Sequence, residues 1–411
     1  MSPSAFPPVL IGLTYLSAAT LATGDGAISQ PRSVATGAVA AVDGVSATKS
    51  SAAESSRPAM TDKVGNPLPG TVDSKLLTQV RRVLDAYYRH PLNTRDDAPW
   101  SVLHWSIAYG VEATVRSGGP DGEPVTAIGW LCFNYPSAGM QLMTPVASGI
   151  ELPVGPGRQG HDGQFLAMLA QSRVKRDYEL RVGERTLVVA DLVEHEKRTC
   201  RSGRELTFKL IGLAHYEELD ATWKNQQGEP WSIERLLREE LQEPIDRTAT
   251  CGGLHRLYAI SSAADRREVS GKPLAEPWRT ARERTRTYQR RAFEMQNADG
   301  SFSTAWLDSR ESRADATRRL TTSGHILEWL VMSLPAEQLD DKRLERGLAY
   351  VAGLLEGKEK TDWHRGALGH ALHALAVYER RVGGDQPRER RASSTTTTEG
   401  GDPNSARQAT P

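Results

Sequence analysis

Cysteine is scarce, at three in 411 residues. That excludes a disulfide-dense scaffold and any zinc module built from four cysteines. Net charge is absent as well, with 51 Lys plus Arg against 51 Asp plus Glu. The balance argues against a protein that holds nucleic acid through bulk positive charge. No apolar run reaches the about 20 residues that a membrane-spanning helix needs, so no stable membrane insertion of the mature chain is expected. Phenylalanine is rare at six, but tryptophan reaches nine. Apolar residues make up 38% and charged residues 25%, which fits neither a disordered chain nor a bundle of membrane helices.

The ends carry little chemistry. Val9–Ala22 is apolar, too short to span a bilayer, and closes on small residues at Thr20-Leu21-Ala22. Residues 1–22 therefore read as a signal peptide, although Met1–Pro8 holds no Lys or Arg, and export to the periplasm or cell envelope is expected. Residues 23–72 are mostly Ala, Gly, Ser, Thr and Val and cannot bury enough surface to offset chain entropy, so they read as a linker. Residues 383–411 contain no Leu, Ile, Val or Phe and read as a disordered tail. The folded part is expected over 73–382.

That part is patterned as helix. Leu76, Leu77, Val80, Val83, Leu84, Tyr87 and Tyr88 form one apolar stripe, with Asp73 or Ser74 as its cap. Similar segments follow over 100–116, 161–173, 190–199, 205–216, 232–242, 252–264, 275–295, 316–334, 340–355 and 367–381. Two regions depart from the pattern. Val125–Phe133 reads as a buried strand, and Tyr178–Val182 with Arg185–Val189 reads as a hairpin about Gly183-Glu184. Neither supplies the alternation of a parallel α/β sheet.

The helices alternate in character. Segments 100–116, 161–173, 205–216, 252–264, 316–334 and 367–381 are apolar or small on nearly all faces and should lie inside. Segments 74–90, 190–199, 232–242, 275–295 and 340–355 carry one apolar stripe and a charged back and should lie outside. The expected fold is mainly α: a ring of helical hairpins, with inner helices running the same way and a small β/loop insertion over 117–160 in place of one outer helix.

The histidines follow that division. Of ten, His104, His161, His215, His255, His325, His370 and His373 fall on the inner set. All but His215 sit in the first half of their segment. Parallel inner helices would bring them to one mouth, with helix N-termini adding positive potential. Gly252-Gly253, Gly324 and Gly369 beside them suit close backbone approach.

Gln296-Asn297-Ala298-Asp299-Gly300-Ser301-Phe302 resembles the Q-x-x-D-G-S-W motif of the terpenoid cyclase and protein prenyltransferase superfamily. The resemblance implies an α/α toroid in which the Gln and the aromatic tie the end of an outer helix to the following turn. The folded region also resembles a family of bacterial exported proteins with TCGG-x-HR, TTGH-x-LEWL and LGHALHALA blocks. Here these stand at Thr250–Arg256, at Thr321–Leu330 with Ser323 inserted, and at Leu368–Ala376. The characterised chemistries do not transfer. Asp340-Asp341 and Asp96-Asp97 lack the spacing of the cyclase acid. The prenyltransferase zinc ligands lie on separate helices, whereas Cys251 and His255 share one.

Several constellations remain as candidates. His161 is a candidate general base, with Asp162 beside it and Gln164 as a hydroxyl binder. His325 with Glu328, and His370 with His373, share helical faces and suit acid/base pairs. His104, Trp105, Trp306 and Trp329 are candidates for a substrate wall, since aromatic faces suit sugar rings or isoprenoid chains. Against each stands a buried, structurally bonded side chain. No motif demands a cofactor; zinc on Cys251 and His255, completed by His325 or His370, is the one metal reading. Cys251 and Cys200 fall at successive outer-to-inner turns, and a disulfide between them suits an exported protein. Cys132 reads as a packed thiol. Gly155–Gly160 matches G-x-G-x-x-G, but Pro153 and Pro156 and the missing βαβ rhythm favour a plain loop.

The function expected is acid/base processing of a carbohydrate at a histidine-lined mouth, with a small molecule or glycan as partner and no nucleic acid. An isoprenoid- or lipid-binding cavity and a non-catalytic envelope scaffold are the alternatives.

Overall fold

The computed structural model describes residues 74–384 apart from Ser148. The expected signal peptide, linker and nearly all of the expected tail lie outside those residues.

Twelve α-helices run through the described residues and follow one another as six pairs. They are α1 (Ser74–Tyr88) and α2 (Pro99–Tyr109), α3 (Ala127–Cys132) and α4 (Gln164–Gln171), and α5 (Val189–Arg198) and α6 (Thr207–Tyr216). Next come α7 (Ile233–Gln242) and α8 (Leu254–Val269), α9 (Trp278–Glu294) and α10 (Ala316–Ser333), and α11 (Lys342–Leu355) and α12 (Arg365–Gly383). The two classes expected from sequence are visible in burial. In α7 the buried residues are Ile233, Leu236, Leu237, Glu240 and Leu241, a single stripe, and Ser232 caps the helix by accepting from the Arg235 amide at 3.0 Å. In α2 every residue from Ser101 to Tyr109 is buried.

Packing follows the same division. In the order α2, α4, α6, α8, α10, α12, each helix packs on the next, and α12 packs back on α2. The partner helices lie against neighbouring members of that set: α5 on α4 and α6, α7 on α6 and α8, α9 on α8 and α10, α11 on α10 and α12. Two close approaches explain small residues in the inner set. A Cβ on Gly369 of α12 would stand 2.4 Å from the His104 carbonyl oxygen of α2, and one on Gly324 of α10 would stand 3.1 Å from the Ala371 backbone.

Four antiparallel hairpins decorate the connections: β1–β2 (Thr114–Arg116, Pro124–Thr126), β3–β4 (Thr144–Val146, Gly149–Glu151), β5–β6 (Glu179–Val182, Arg185–Val188) and β7–β8 (Thr222–Lys224, Pro230–Ser232). The β5–β6 hairpin is the one expected, with Val182 opposite Arg185 across Gly183-Glu184. β2, β6 and β8 each lead directly into the next helix, so a helix–hairpin–helix unit recurs three times. The expected strand over Val125–Phe133 is corrected: only Val125 and Thr126 pair as strand, and Ala127–Cys132 is α3, which packs on α2. A short apolar run does not separate buried strand from buried helix by periodicity.

The Gln296–Phe302 segment closes the end of α9. The Gln296 amide donates to the Gly300 carbonyl at 3.0 Å and to the Arg343 carbonyl of α11 at 2.8 Å. Phe302 is fully buried, and its backbone amide donates to Ser323 Oγ of α10 at 3.0 Å. Among the described residues no helix is long and apolar enough to cross a membrane.

Candidate functional site

The turns that lead from outer to inner helices bring histidines from five inner segments together. His325 and His370 lie 3.9 Å apart between ring centroids, and His255 stands 5.3 Å from each. His104 stands 5.3 Å from His370, and His161 stands 5.5 Å from His255. Phe208 stacks on His161 at 4.6 Å, and Trp306 meets His325 edge-on at 5.6 Å.

Each ring but one is fixed through Nδ1. His104 Nδ1 bonds the Trp100 carbonyl at 2.7 Å, and His325 Nδ1 bonds the Thr321 carbonyl at 2.7 Å. A carbonyl only accepts, so both Nδ1 atoms carry the proton and Nε2 keeps its lone pair. His370 Nδ1 bonds Glu328 Oε2 at 2.7 Å, and His161 Nδ1 bonds Glu205 Oε2 at 2.8 Å. His255 is the exception. Neither ring nitrogen has a hydrogen-bond partner among the described residues, although the ring is only 9% exposed. An unsatisfied buried polar group of this kind costs about 1–3 kcal/mol.

His104, His255 and His325 are neutral rings near pH 7. Burial, then the neighbouring His370, hold His104 down at about 3. Burial and adjacent imidazoles keep His255 and His325 well below the usual imidazole range. Burial alone would raise the Glu328 carboxyl, but His370 and the two imidazole hydrogen bonds outweigh it and hold the group well below the usual carboxylate range.

A cavity of about 300 Å³ opens onto this centre. His255 lies on its lining, with Arg204, Glu205, Thr207, Thr250 and Arg256 around it. The adjoining backbone is strained: Cys251 (φ 50°) and Trp306 (φ 60°) both occupy the left-handed region. Such residues cost on the order of 1–3 kcal/mol each and gather at functional sites. Cys251 Sγ, His255 and His325 offer ligand atoms within 4.8 Å of one another. Burial pushes the Cys251 thiol up to about 12.

Other expected site residues lie elsewhere or are otherwise engaged. His325 and Glu328 do not pair; Glu328 reaches across to α12, where His370 and His373 share it, with His373 Nδ1 at 2.5 Å. Asp162 stands 3.2 Å from the buried Lys209, which also bonds Glu196 and Thr199. Gln164 Oε1 accepts from the Gly160 amide at 2.6 Å and so fixes the loop before α4. Trp105 donates to the Thr114 carbonyl and Trp329 to Ser261 Oγ, and both are buried in the core. Gly155–Gly160 is a turn bonded to itself, with the Gly155 amide on the Gln159 carbonyl. His215, near the end of α6, packs on Tyr216 away from the cluster. The Cys200–Cys251 disulfide is corrected: both thiols are free, and Cys200 donates to the Glu196 carbonyl at 3.3 Å.

The sequence reading passed over Glu205, Arg204, Trp100 and Phe208. Glu205 and Phe208 open the same inner segment as Thr207, so the rule that selected the histidines, an early position on an inner helix, would have found them. Trp100 packs on His104 at 4.1 Å. Compared with known proteins, the chain matches no family model and no curated sequence.

Proposed function

We propose that the chain is an enzyme of α/α-toroid architecture that processes a small hydrophilic substrate, with carbohydrate as the class, by acid/base chemistry at the histidine centre. The cyclic packing of α2, α4, α6, α8, α10 and α12 supports the toroid. One observation carries the functional reading: a cavity of about 300 Å³ has His255 on its lining and Glu205 on its wall, and Glu205 holds His161 by Nδ1. A base whose Nδ1 is held by a carboxylate presents Nε2 in a fixed direction, which is the geometry a general base needs. His161 is assigned that role and Glu205 positions it. Arg204 and Thr250 on the lining supply hydrogen bonds for hydroxyl or carboxylate groups, while Thr207 and Arg256 beside them are held by Glu240. This lining favours a hydrophilic ligand over an isoprenoid. Trp306, beside His325, is the one nominated tryptophan positioned to serve as an aromatic wall.

Thermal unfolding against a panel of uronic acids, oligosaccharides and prenyl diphosphates tests this reading. A ligand at a hundredfold excess over its Kd stabilises by about 2.7 kcal/mol, a shift of several degrees. A saccharide is expected to raise the melting temperature, and Glu205→Gln or His161→Gln is expected to abolish the shift while the fold persists. Stabilisation by prenyl diphosphates alone, or by no member of the panel, would contradict it.

A further inference from the structure

We infer that Cys251, His255 and His325 form a mononuclear site for zinc or a similar borderline divalent metal, with a fourth coordination position facing the cavity. The three ligand atoms lie within 4.8 Å of one another. Ligands of a tetrahedral zinc stand roughly 3.5 Å apart, so the set has to close by only about an ångström. One thiolate and two imidazoles are donors that zinc prefers over magnesium or calcium.

Separate features point to an ion at that centre. The bond from His325 Nδ1 to the Thr321 carbonyl, at 2.7 Å, leaves Nε2 as the atom to coordinate. Metal-ligating histidines are held in this way by their second nitrogen. His255 is buried among His161, Phe208, His325 and His370, yet neither nitrogen is bonded among the described residues. Coordination would satisfy one of them. Cys251 sits at φ 50° just before α8, so a strained turn rather than the helix sets the direction of its thiol. His370, tilted 36° against His325 at 3.9 Å and bonded to the buried Glu328, places an anionic support behind the site.

On binding, the Cys251 thiol releases its proton to solvent, the thiolate and two imidazole nitrogens displace waters from the ion, and one water stays at the fourth position. Three protein ligands with an open position is the catalytic form of a zinc site rather than the structural form. What the ion would do there rests on the functional reading above, whereas its binding does not.

The test uses the full chain stripped with a chelator, then titrated with zinc sulfate by calorimetry and with cobalt(II) by absorption. Binding of about one equivalent is expected, with a thiolate-to-cobalt charge-transfer band. Cys251→Ser should abolish the band, and His325→Gln should weaken zinc by at least about tenfold. Cys200→Ser should change neither. Wild-type binding below about one tenth of an equivalent, or a band that survives Cys251→Ser, overturns the site. Zinc-edge X-ray absorption on the wild type decides without any variant: one sulfur among the ligands supports the assignment, and none overturns it. Zinc binding without saccharide stabilisation would sink the functional reading and leave this one standing; saccharide stabilisation without zinc binding would do the reverse.

Discussion

His104 has its Nδ1 on a backbone carbonyl and its ring among other imidazoles. In the fold burial holds it at about 3, whereas an unfolded imidazole titrates near 6.5. Between those values the unfolded chain binds a proton that the folded chain refuses, so stability is full above about 6.5 and falls as pH drops below it. His215, lowered to about 4 by burial and then by Arg266 and Arg173, acts in the same sense. Urea unfolding at pH 7.5, 6.5 and 5.5 is expected to show a monotonic loss of stability with proton uptake on unfolding; a flat profile would refute it. A second prediction concerns the buried Lys209–Glu196 pair, in which both side chains are 1% exposed. Lys209→Met or Glu196→Gln should each cost about 3–5 kcal/mol, because each strands a buried partner, whereas a Lys209→Met, Glu196→Leu double variant should recover much of the loss. Single variants that unfold like the wild type would contradict this. The histidines were legible in the sequence because each stands early on an all-round apolar segment. Their partners were not. The pairing of Glu328 with His370 and His373 depends on the axial register of α10 against α12, which no single-helix spacing encodes.

Helices supply the rigid positions for these side chains, and their contact faces set how closely the rings approach. Gly369 shows the constraint, since a Cβ there would stand 2.4 Å from a backbone oxygen that cannot move alone. Gly369→Ala should therefore destabilise by about 1–3 kcal/mol through overpacking of α12 on α2, read as a lower urea midpoint at unchanged slope. Unchanged stability would show that α2 and α12 are looser than described. Division into striped and all-round helices was readable from the pattern, because α7 and α11 bury one apolar stripe and their charged backs have to meet water. The short α3 was not. Its six residues are too few to display a helical period, and the β-branched residues ahead of it belong to a hairpin. The same holds for β1–β2, β3–β4 and β7–β8, whose three-residue strands leave no alternation to read.

Across the whole molecule the ring proposed here differs from an open helical array in how it responds to loss of an end. An open array that loses its last pair keeps a shorter cooperative core. A closed ring loses both faces of the missing element, and α12 packs on α1, α2, α10 and α11. Truncation after Asp362 should abolish cooperative thermal unfolding followed by circular dichroism; a sharp transition with helicity lost only in proportion would favour the open array. The central claim is that imidazoles from separate inner segments share one centre, with the Nδ1 atoms of His104, His161, His325 and His370 tied back and the Nε2 lone pairs of His104 and His325 left free of protons. Long-range ¹⁵N–¹H correlation spectra of the histidine rings at pH 7.5 measure this directly. His104 and His325 should appear as neutral rings protonated on Nδ1, and a charged ring or a proton on Nε2 at either would contradict the account.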